Sequence, residues 1–432
     1  MTLMEECRRG VPETVRRVAE EEGVRPEKLA RRVAEGRVVV PAHADRREEV
    51  RPVGIGEGLR VKVNANVGTS PEVCDPDLEA KKARAAVEHG ADTVMDLSTG
   101  GDLRKVRRRI MKAVDVPVGT VPVYEAAVEA TSRGRAVVDM DEDDMLRAVE
   151  RHMRDGVDFM TIHCAVTWDA LNDLLRRGRL LGVVSRGGAI VAAWMIHHEE
   201  ENPLYEHFDY ILELAREHDV TLSLGDAMRP GSVLDANDPA QHRELLVQGE
   251  LVDRCREHGV QAMVEGPGHV PLDQIPAVVR LQKRVCDGAP FYVLGPVPTD
   301  VAPGHDHVAA AIGGAIAAYH GADFLCYVTP AEHLALPDVR DVIEGVIAAR
   351  IAAHAADTAR GREYAIRENE EMGRARWKLD WERQFELALD PERARRYREE
   401  RPPQAREQCS MCGEYCAIKI VREALERQRE RS

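Results

Sequence analysis

Three cysteines near the C-terminal end of the chain are spaced as metal ligands. Cys409, Cys412 and Cys416 stand in the segment Cys-Ser-Met-Cys-Gly-Glu-Tyr-Cys, with two and then three residues between them. Three thiolates can hold a [4Fe-4S] cluster and leave one iron open to a further ligand. The spacing also leaves open a zinc site completed by a distant histidine, or a disulfide with one spare cysteine.

A second group of chemically capable residues falls at the ends of short β-branched runs, or in the loops that follow them. In a parallel barrel these positions gather on one face, where rigid strands support the converging loops of an active site. We therefore predict an active site at this face, built from Asn66, Met95, Tyr124, His163, Ser185, Arg186, Asp226, Arg229, Glu265, His269, Tyr292 and His333.

Two of the loops have residues suited to a polar ligand. Ser185-Arg186-Gly187-Gly188 precedes an apolar helical stretch, so a hydroxyl, a guanidinium and backbone N–H groups could meet a phosphate. A tight turn with a surface arginine is the alternative. Asp226-Ala227-Met228-Arg229 places an acid and a base on one loop, which fits either a binding pocket or a structural ion pair.

Two histidines could bind a divalent metal. Glu265-Gly266-Pro267-Gly268-His269 ends one predicted strand, and His333 follows a later one. Two imidazoles on one face could hold a metal and leave positions for water or substrate, although either histidine could instead be structural.

Between residues 59 and 356, short β-branched runs alternate with helical stretches, and these elements must position the residues above. Parallel strands alternating with helices predict a (β/α)8 TIM-type barrel, with a doubly wound open sheet as the alternative. Nine candidate strands compete for eight places, and the run at Gly182 is the candidate for an extra one. They are Val61–Asn66, Asp92–Leu97, Val116–Tyr124, Phe159–His163, Gly182–Ser185, Thr221–Gly225, Gln261–Glu265, Phe291–Gly295 and Asp323–Val328.

The remaining chain predicts two appendages to the barrel. Residues 1–58 have the pattern of two short helices and a brief β-type run, which indicates a small N-terminal α/β segment. Residues 357–432 predict a helical domain that carries the three cysteines. Trp377, Trp381 and Phe385 recur at four-residue spacing, which favours a single helix up to the Asp390-Pro391 break.

The overall composition narrows the class of protein. The chain has 432 residues, is 44% hydrophobic and carries a formal net charge of -15, which gives no indication of a nucleic-acid partner. No apolar run is long enough to span a membrane, and the N-terminus lacks the apolar core of a signal peptide. We expect a cytoplasmic protein whose other six cysteines are reduced packing residues.

Several motifs together resemble one family, the phosphomethylpyrimidine synthases (ThiC). The resemblance runs from about Gly36 to Ala417 and is carried by Lys62–Ser70, Val118–Pro122, the Ser185 loop, Ser223–Asp226, Glu265–His269, Tyr292–Pro296 and the terminal cysteines. It implies a homodimeric radical S-adenosylmethionine enzyme of thiamine biosynthesis that needs a one-electron reductant. Such an enzyme converts 5-aminoimidazole ribonucleotide into 4-amino-5-hydroxymethyl-2-methylpyrimidine phosphate and releases formate and carbon monoxide.

The resemblance also implies roles for individual residues. The [4Fe-4S] cluster would lie on Cys409, Cys412 and Cys416, and zinc on His269 and His333. Glu265, His163 and Tyr292 would be the catalytic residues. Substrate would contact Asn66, Met95, Tyr124, His163, Ser185, Arg186, Gly187, Asp226, Ala227, Met228, Arg229, Glu265 and Tyr292.

Three features depart from the family pattern. The better-known members have four residues between the second and third cysteines where this chain has three, His305 stands where a tyrosine is expected, and the N-terminus is compact. Close relatives make 5-hydroxybenzimidazole for cobamide synthesis from the same nucleotide, which is one alternative function. A nonradical, zinc-stabilised barrel that only binds a nucleotide is the other.

Overall fold

The computed structural model describes residues 1–403, 405 and 408–431. The chain divides into two compact units, Met1–Ala356 and Asp357–Ser432. The first unit begins with helices α1 (Leu3–Arg9), α2 (Glu13–Glu22) and α3 (Pro26–Ala34), followed by the antiparallel pair β1 (Val38–Val39) and β2 (Ile55–Gly56). The helices enclose a small apolar core of their own. The two short helices predicted for this segment correspond to α2 and α3 and the β-type run to β1, whereas α1 was not predicted.

A closed parallel barrel forms the centre of the first unit. In the described residues eight strands close it, because the last strand pairs with both the first and the seventh. The predicted (β/α)8 barrel is thus confirmed, and an open sheet is excluded. Its strands are β3 (Lys62–Val67), β4 (Thr93–Asp96), β5 (Val118–Thr120), β6 (Phe159–Ile162), β7 (Thr221–Leu224), β8 (Ala262–Gly266), β9 (Phe291–Leu294) and β10 (Phe324–Cys326).

Helices surround the barrel and bury its outer surface. The strands are buried on both sides, as expected for a parallel sheet covered by helices. Short 3-10 turns lie at Ala44–Arg46, Val137–Asp139 and Val233–Asp235. The helices of this unit are α4 (Pro76–Glu88), α5 (Leu103–Met111), α6 (Pro122–Ser132), α7 (Glu142–Arg154), α8 (Trp168–Arg177), α9 (Arg186–His198), α10 (Pro203–Glu206), α11 (Phe208–His218), α12 (Pro239–His258), α13 (Ile275–Val285) and α14 (Asp306–His320), with α15 (Val339–Ala359) at the boundary.

Two of the predicted strands are wrong in part or entirely. Gly182–Ser185 is not a strand but the connection into α9. Val116–Tyr124 overruns its strand, which ends at Thr120, and Tyr124 lies in the first turn of α6. Pro122 explains this end, since its fixed φ suits the first turn of a helix and its missing N–H is not needed there.

Buried carboxylates connect neighbouring strands at the barrel end opposite the predicted site. Asp92 accepts a hydrogen bond from the N–H of Val63 at 2.8 Å, and Asp158 accepts one from Val118 at 2.8 Å. Each of these aspartates immediately precedes its own strand and binds the strand before it. The barrel end that carries no predicted site residues is therefore fixed by side-chain bonds in addition to the backbone ladder.

The second unit is helical in its described residues. Beyond α15 it contains α16 (Glu363–Lys378), α17 (Trp381–Glu386), α18 (Pro391–Glu400), a 3-10 turn at Gly413–Tyr415 and α19 (Ala417–Arg431). The single helix predicted through Trp377 and Trp381 is wrong. Leu379 has a left-handed φ of 56° and Asp380 caps the next helix, so the two tryptophans lie on different helices. Among the helices described, none combines the length and the apolar character that crossing a bilayer would require.

Candidate active site

A pocket opens at the C-terminal ends of the barrel strands. The space within it, including the part open to solvent, is about 490 Å3. Seven of the residues predicted from sequence line it together, namely Asn66, Met95, Tyr124, His163, Arg229, Glu265 and Tyr292. Leu97, Val121, Thr161, Gly266, Val293, Leu294 and Cys326 complete the lining.

One side of the pocket is a hydrogen-bonded group of side chains from adjacent strands. Asn64 donates from Nδ2 to Asn66 Oδ1 and to the hydroxyl of Tyr292, both at 2.8 Å. The Tyr292 hydroxyl lies 3.5 Å from the sulfur of Met95. Burial raises the pKa of Tyr292 well above its usual value, so the phenol is neutral and can donate or accept a hydrogen bond.

Cys326 belongs to this group, although the sequence analysis placed it among the packing thiols. Its sulfur accepts a hydrogen bond from Asn66 Nδ2 at 3.0 Å. Burial raises the pKa of the thiol to about 11, so the pocket contains a neutral S–H group. The available signal was position, because Cys326 ends β10 as other pocket residues end their strands.

Glu265 is the acidic group of the pocket. Its Oε1 accepts hydrogen bonds from Thr161 at 2.6 Å and from Ser223 at 3.1 Å. Burial raises the pKa of Glu265, and the opposing effects of Thr161 and of the Arg229 charge do not cancel the increase. The hydroxyls hold the carboxyl group in place, while burial makes it retain a proton more tightly than usual.

His163 is a neutral imidazole buried beside the Ser185 loop. Its Nε2 lies 3.1 Å from Ser185 Oγ, and no described residue bonds its buried Nδ1. Burial, together with the charge of Arg229, lowers the pKa of His163 to about 3. Only glycine fits at position 187 beside this ring, because a Cβ there would lie 2.2 Å from the imidazole Cε1.

The Ser185 loop adjoins the pocket but does not line it. Ser185 caps α9 by accepting a hydrogen bond from the N–H of Gly188 at 3.2 Å. The guanidinium of Arg186 lies over the ring of Tyr124, with its central carbon 5.2 Å from the ring centroid. The predicted phosphate loop therefore contacts two pocket residues, His163 and Tyr124, and presents the N-terminus of a 13-residue helix.

The loop after β7 brings a cation into the pocket. Arg229 lines the pocket, and no described residue forms a hydrogen bond or ion pair with its guanidinium. Its charge influences Asp226, Glu265, His163 and Tyr124. Asp226, Ala227 and Met228 are buried behind it and do not line this pocket. An arginine without a carboxylate partner in a concave site is suited to bind an anion.

The two histidines predicted to bind metal come close together. Their ring centroids are 5.4 Å apart. Nδ1 of His269 lies 2.8 Å from an Asp300 oxygen, and Nδ1 of His333 lies 3.4 Å from an Asp306 oxygen. Imidazoles held in this way by carboxylates are typical zinc ligands, with Nε2 directed to the metal. Among the described residues no group of three or more histidines, cysteines and acidic residues lies close enough together to hold a metal ion.

The three cysteines lie on a short turn within the second unit. They are free thiols of intermediate exposure. Gly413, with a φ of 53°, reverses the chain and donates its N–H to the carbonyl of Cys409 at 3.1 Å. Backbone N–H groups of Cys412 and Met411 direct hydrogen bonds to Cys409 and lower its pKa, while the hydrogen bond to Cys409 raises the pKa of Cys412. These N–H donors favour formation of the Cys409 thiolate, which is the form in which a cysteine binds a metal.

Comparisons with known proteins agree along the whole chain. The model of the radical SAM ThiC family matches residues 2–423. The chain is 88% identical over 429 residues to phosphomethylpyrimidine synthase of Methanopyrus kandleri, covering 99% of this chain and 100% of that protein. It is 58% identical over 424 residues to phosphomethylpyrimidine synthase 2 of Methanothermobacter thermautotrophicus, covering 98% and 100%. It is 56% identical over 431 residues to the phosphomethylpyrimidine synthase of Thermococcus kodakarensis, covering 100% of each.

Proposed function

The chain belongs to the radical SAM ThiC family, and from that premise we propose that it is a phosphomethylpyrimidine synthase of thiamine biosynthesis. Its substrate would be 5-aminoimidazole ribonucleotide, and its products 4-amino-5-hydroxymethyl-2-methylpyrimidine phosphate, formate and carbon monoxide. The observation that carries the proposal is that seven of the thirteen expected substrate residues line one pocket at the barrel mouth.

The pocket has complementary groups for the parts of such a nucleotide. Arg229 and the N-terminus of α9 at Ser185 would bind the phosphate, because both direct positive charge and N–H donors to an anion. Tyr124, Met95 and the other apolar lining would contact the ring and exclude water. Asn66, Asp226 and Glu265 would bind the ring nitrogens or the ribose hydroxyls through hydrogen bonds.

Three side chains would hold or move protons. Glu265 Oε2 is the atom at which that carboxyl would hold a proton, since two hydroxyls already occupy Oε1. Tyr292 and His163 are both neutral, so they would orient the substrate through hydrogen bonds, or pass a proton on by accepting one as they donate another.

The cysteine turn fits an iron–sulfur cluster. Cys409, Cys412 and Cys416 would hold a [4Fe-4S] cluster, for which the backbone donors at Cys409 provide support. With S-adenosylmethionine bound and one electron supplied by an external reductant, the cluster would provide the 5′-deoxyadenosyl radical that begins the reaction. The barrel residues would hold the nucleotide in position and keep water from it.

His269 and His333 would hold a zinc ion. Two imidazoles backed by carboxylates fit this ion, and substrate or water would complete its coordination. A homodimer in the cytoplasm remains a further prediction from the family resemblance. The names of the relatives favour the pyrimidine product over 5-hydroxybenzimidazole, and the family itself disfavours a nonradical barrel.

Nucleotide binding to the ligand-free protein tests the pocket. Calorimetry should show one site for 5-aminoimidazole ribonucleotide, and Arg229→Met should weaken binding about 10- to 100-fold, because a charged hydrogen bond is lost. Arg284→Met is the control, since Arg284 is an exposed arginine on α13. Equal affinity of all three proteins would place the phosphate elsewhere.

A further inference from the structure

An arginine of the second unit, which the sequence analysis did not single out, is bonded beside the first cysteine of the turn. Arg398 lies on α18 and donates a hydrogen bond from Nη1 to the carbonyl of Gln408 at 3.0 Å. That carbonyl belongs to the peptide bond that joins Gln408 to Cys409. The guanidinium therefore reaches the backbone at the point where the cysteine turn begins.

An aromatic ring holds the flat face of the same guanidinium. The central carbon of Arg398 lies 3.7 Å from the centroid of the Trp381 ring, which belongs to α17. A guanidinium can stack on an indole and still donate hydrogen bonds from its edge. Arg398 therefore connects α17, α18 and the cysteine turn, and contacts fix its charged group at both its face and its edge.

The contact between Arg398 and Gln408 is partly shielded from water. Gln408 is buried and Arg398 is half-buried, whereas the other long side chains of α18 are exposed. Water and salt screen a partly buried charge less than a charge on an open surface. Arg398 should therefore act on Cys409 more strongly than a fully exposed arginine would.

The charges around Arg398 agree with this position. Burial lowers the pKa of Arg398, and the opposing effects of a thiolate at Cys409 and of Glu382 do not cancel the decrease. The guanidinium nevertheless stays charged at neutral pH, as arginine does in proteins. Cys409 also receives hydrogen bonds from the N–H groups of Cys412 and Met411. Arg398 thus adds a full positive charge beside a cysteine that backbone donors already favour as a thiolate.

We propose that Arg398 is a positioning residue for the iron–sulfur cluster, which holds the backbone at Cys409 and places a positive charge beside the bound cluster. The inference rests on the proposed function, because it takes a [4Fe-4S] cluster on Cys409, Cys412 and Cys416 as the group that this charge affects. Reduction adds one electron from the external reductant and makes the site more negative. A cation beside the cysteines therefore favours the reduced form and raises the reduction potential.

The midpoint potential of the reconstituted protein tests this role independently of activity. An anaerobic redox titration followed by electron paramagnetic resonance measures it, without S-adenosylmethionine or nucleotide. In Arg398→Gln the potential should shift to a more negative value, because the charge is lost while a shorter amide donor remains. Arg398→Lys should keep the wild-type potential, because it retains the charge.

Arg395→Gln is the matched control. Arg395 lies on the same helix, with its central carbon 4.8 Å from the ring centroid of Phe385, and it pairs with Glu382 at 2.9 Å. Among the described residues, none of its hydrogen bonds or ion pairs reaches the cysteine turn. The variant therefore removes a stacked arginine from α18 without removing a charge at Cys409, and its potential should equal that of the wild type.

The outcomes separate an electrostatic role from a purely structural one. An unchanged potential in Arg398→Gln, or an equal shift in Arg395→Gln, would overturn the inference. A purely structural role predicts equal loss of iron in Arg398→Gln and Arg398→Lys, with an unchanged potential in the clusters that remain.

Arg398→Lys decides the case in which Arg398→Gln binds no iron. Iron at the wild-type level and potential in Arg398→Lys would then support the inference, whereas loss of iron or a shifted potential would overturn it. Wild-type protein that assembles no [4Fe-4S] cluster would instead overturn the proposed function.

Discussion

At the scale of single residues, Arg229 and Glu265 determine the electrostatic character of the pocket. Both line it, yet Glu265 is bonded to the hydroxyls of Thr161 and Ser223 and not to the guanidinium. The site therefore presents an available cation and a tightly held carboxyl group. This combination suits a phosphorylated ligand that also needs a proton donor or acceptor.

The two histidines give a prediction at the same scale. His333→Ala should lower the zinc content of purified protein without lowering its iron, because the cluster cysteines lie in the other unit. Asp300→Asn should weaken zinc affinity about 10- to 100-fold, since Asp300 orients His269 through Nδ1. Metal analysis by mass spectrometry provides the readout.

His305→Ala is the control for the zinc measurement, because this neighbouring histidine was not predicted to bind metal. Unchanged zinc content in His333→Ala would show that the assigned pair is wrong.

Sequence reasoning found pocket residues that end strands and missed those whose role depends on a distant partner. The roles of Asn66, Met95 and Glu265 could be predicted from the sequence, because polar or sulfur-containing residues stand out within apolar runs. The role of Glu244 could not, since it lies in a charged helical stretch and only the fold brings its carboxylate to the N–H groups of Ala227 and Met228. From the sequence, Cys326 was expected to be a small apolar packing residue. In the structure its sulfur instead accepts a hydrogen bond from Asn66 on the neighbouring strand, so its environment is polar.

At the scale of elements, a buried ion cluster connects three helices beside the barrel. Arg107 on α5 donates to Glu125 on α6 at 2.8 Å and to Asp155, which follows α7, at 2.7 Å. Its side chain is 2% exposed. Burial raises the pKa of Glu125, but hydrogen bonds from His152 and Arg107 outweigh this effect and hold it well below its usual value.

The cluster gives a stability prediction with a matched control. Arg107→Leu should lower the free energy of unfolding by about 1.5–3 kcal/mol, because Glu125 and Asp155 each lose a charged hydrogen bond while their more exposed arginine partners remain. Arg104→Leu removes a bond to the same Asp155, but Arg104 is 53% exposed, so the loss should stay below about 1 kcal/mol. Urea unfolding near neutral pH measures both.

At acidic pH the free energies of unfolding of the wild type and of Arg107→Leu should differ less than they do at neutral pH. The pKa of Glu125 is lowered in the folded state, so its contribution is present above the unfolded-state pKa and is lost as pH falls below it. Equal stability of Arg104→Leu and Arg107→Leu at neutral pH would contradict a stabilising role of burial in this cluster.

Strands and helices could be predicted where β-type and helical patterns alternate strongly along the sequence. Their ends could not be predicted where a single residue determines them. The barrel followed from repeated β-branched runs with intervening helices. The end of β5 at Thr120 depends on Pro122, and the break between Trp377 and Trp381 depends on the left-handed Leu379 and the capping Asp380. Four-residue spacing of aromatic residues does not reveal such a break, since the period continues across it.

At the scale of the whole molecule, the proposed nucleotide pocket and the cysteine turn belong to different units of the chain. The pocket belongs to Met1–Ala356, and the cysteine turn belongs to Asp357–Ser432. Cys412→Ala should therefore abolish cluster formation while the barrel remains folded. Iron and sulfide analysis after anaerobic reconstitution, together with circular dichroism, provides the measurement.

Cys74→Ala is the control for this variant, because Cys74 is an exposed thiol outside the cluster turn. It should bind iron as the wild type does, at about four irons per chain. Loss of the barrel fold in Cys412→Ala would contradict the separation, and stoichiometric zinc in place of iron on the three cysteines would contradict the cluster.

Product analysis tests the central claim most directly. Reconstituted protein is incubated anaerobically with reductant, S-adenosylmethionine and 5-aminoimidazole ribonucleotide, and the products are identified by mass spectrometry. The proposed function predicts 4-amino-5-hydroxymethyl-2-methylpyrimidine phosphate together with 5′-deoxyadenosine, and neither with Cys412→Ala. Formation of 5-hydroxybenzimidazole, or of neither product by protein with an intact cluster, would contradict it.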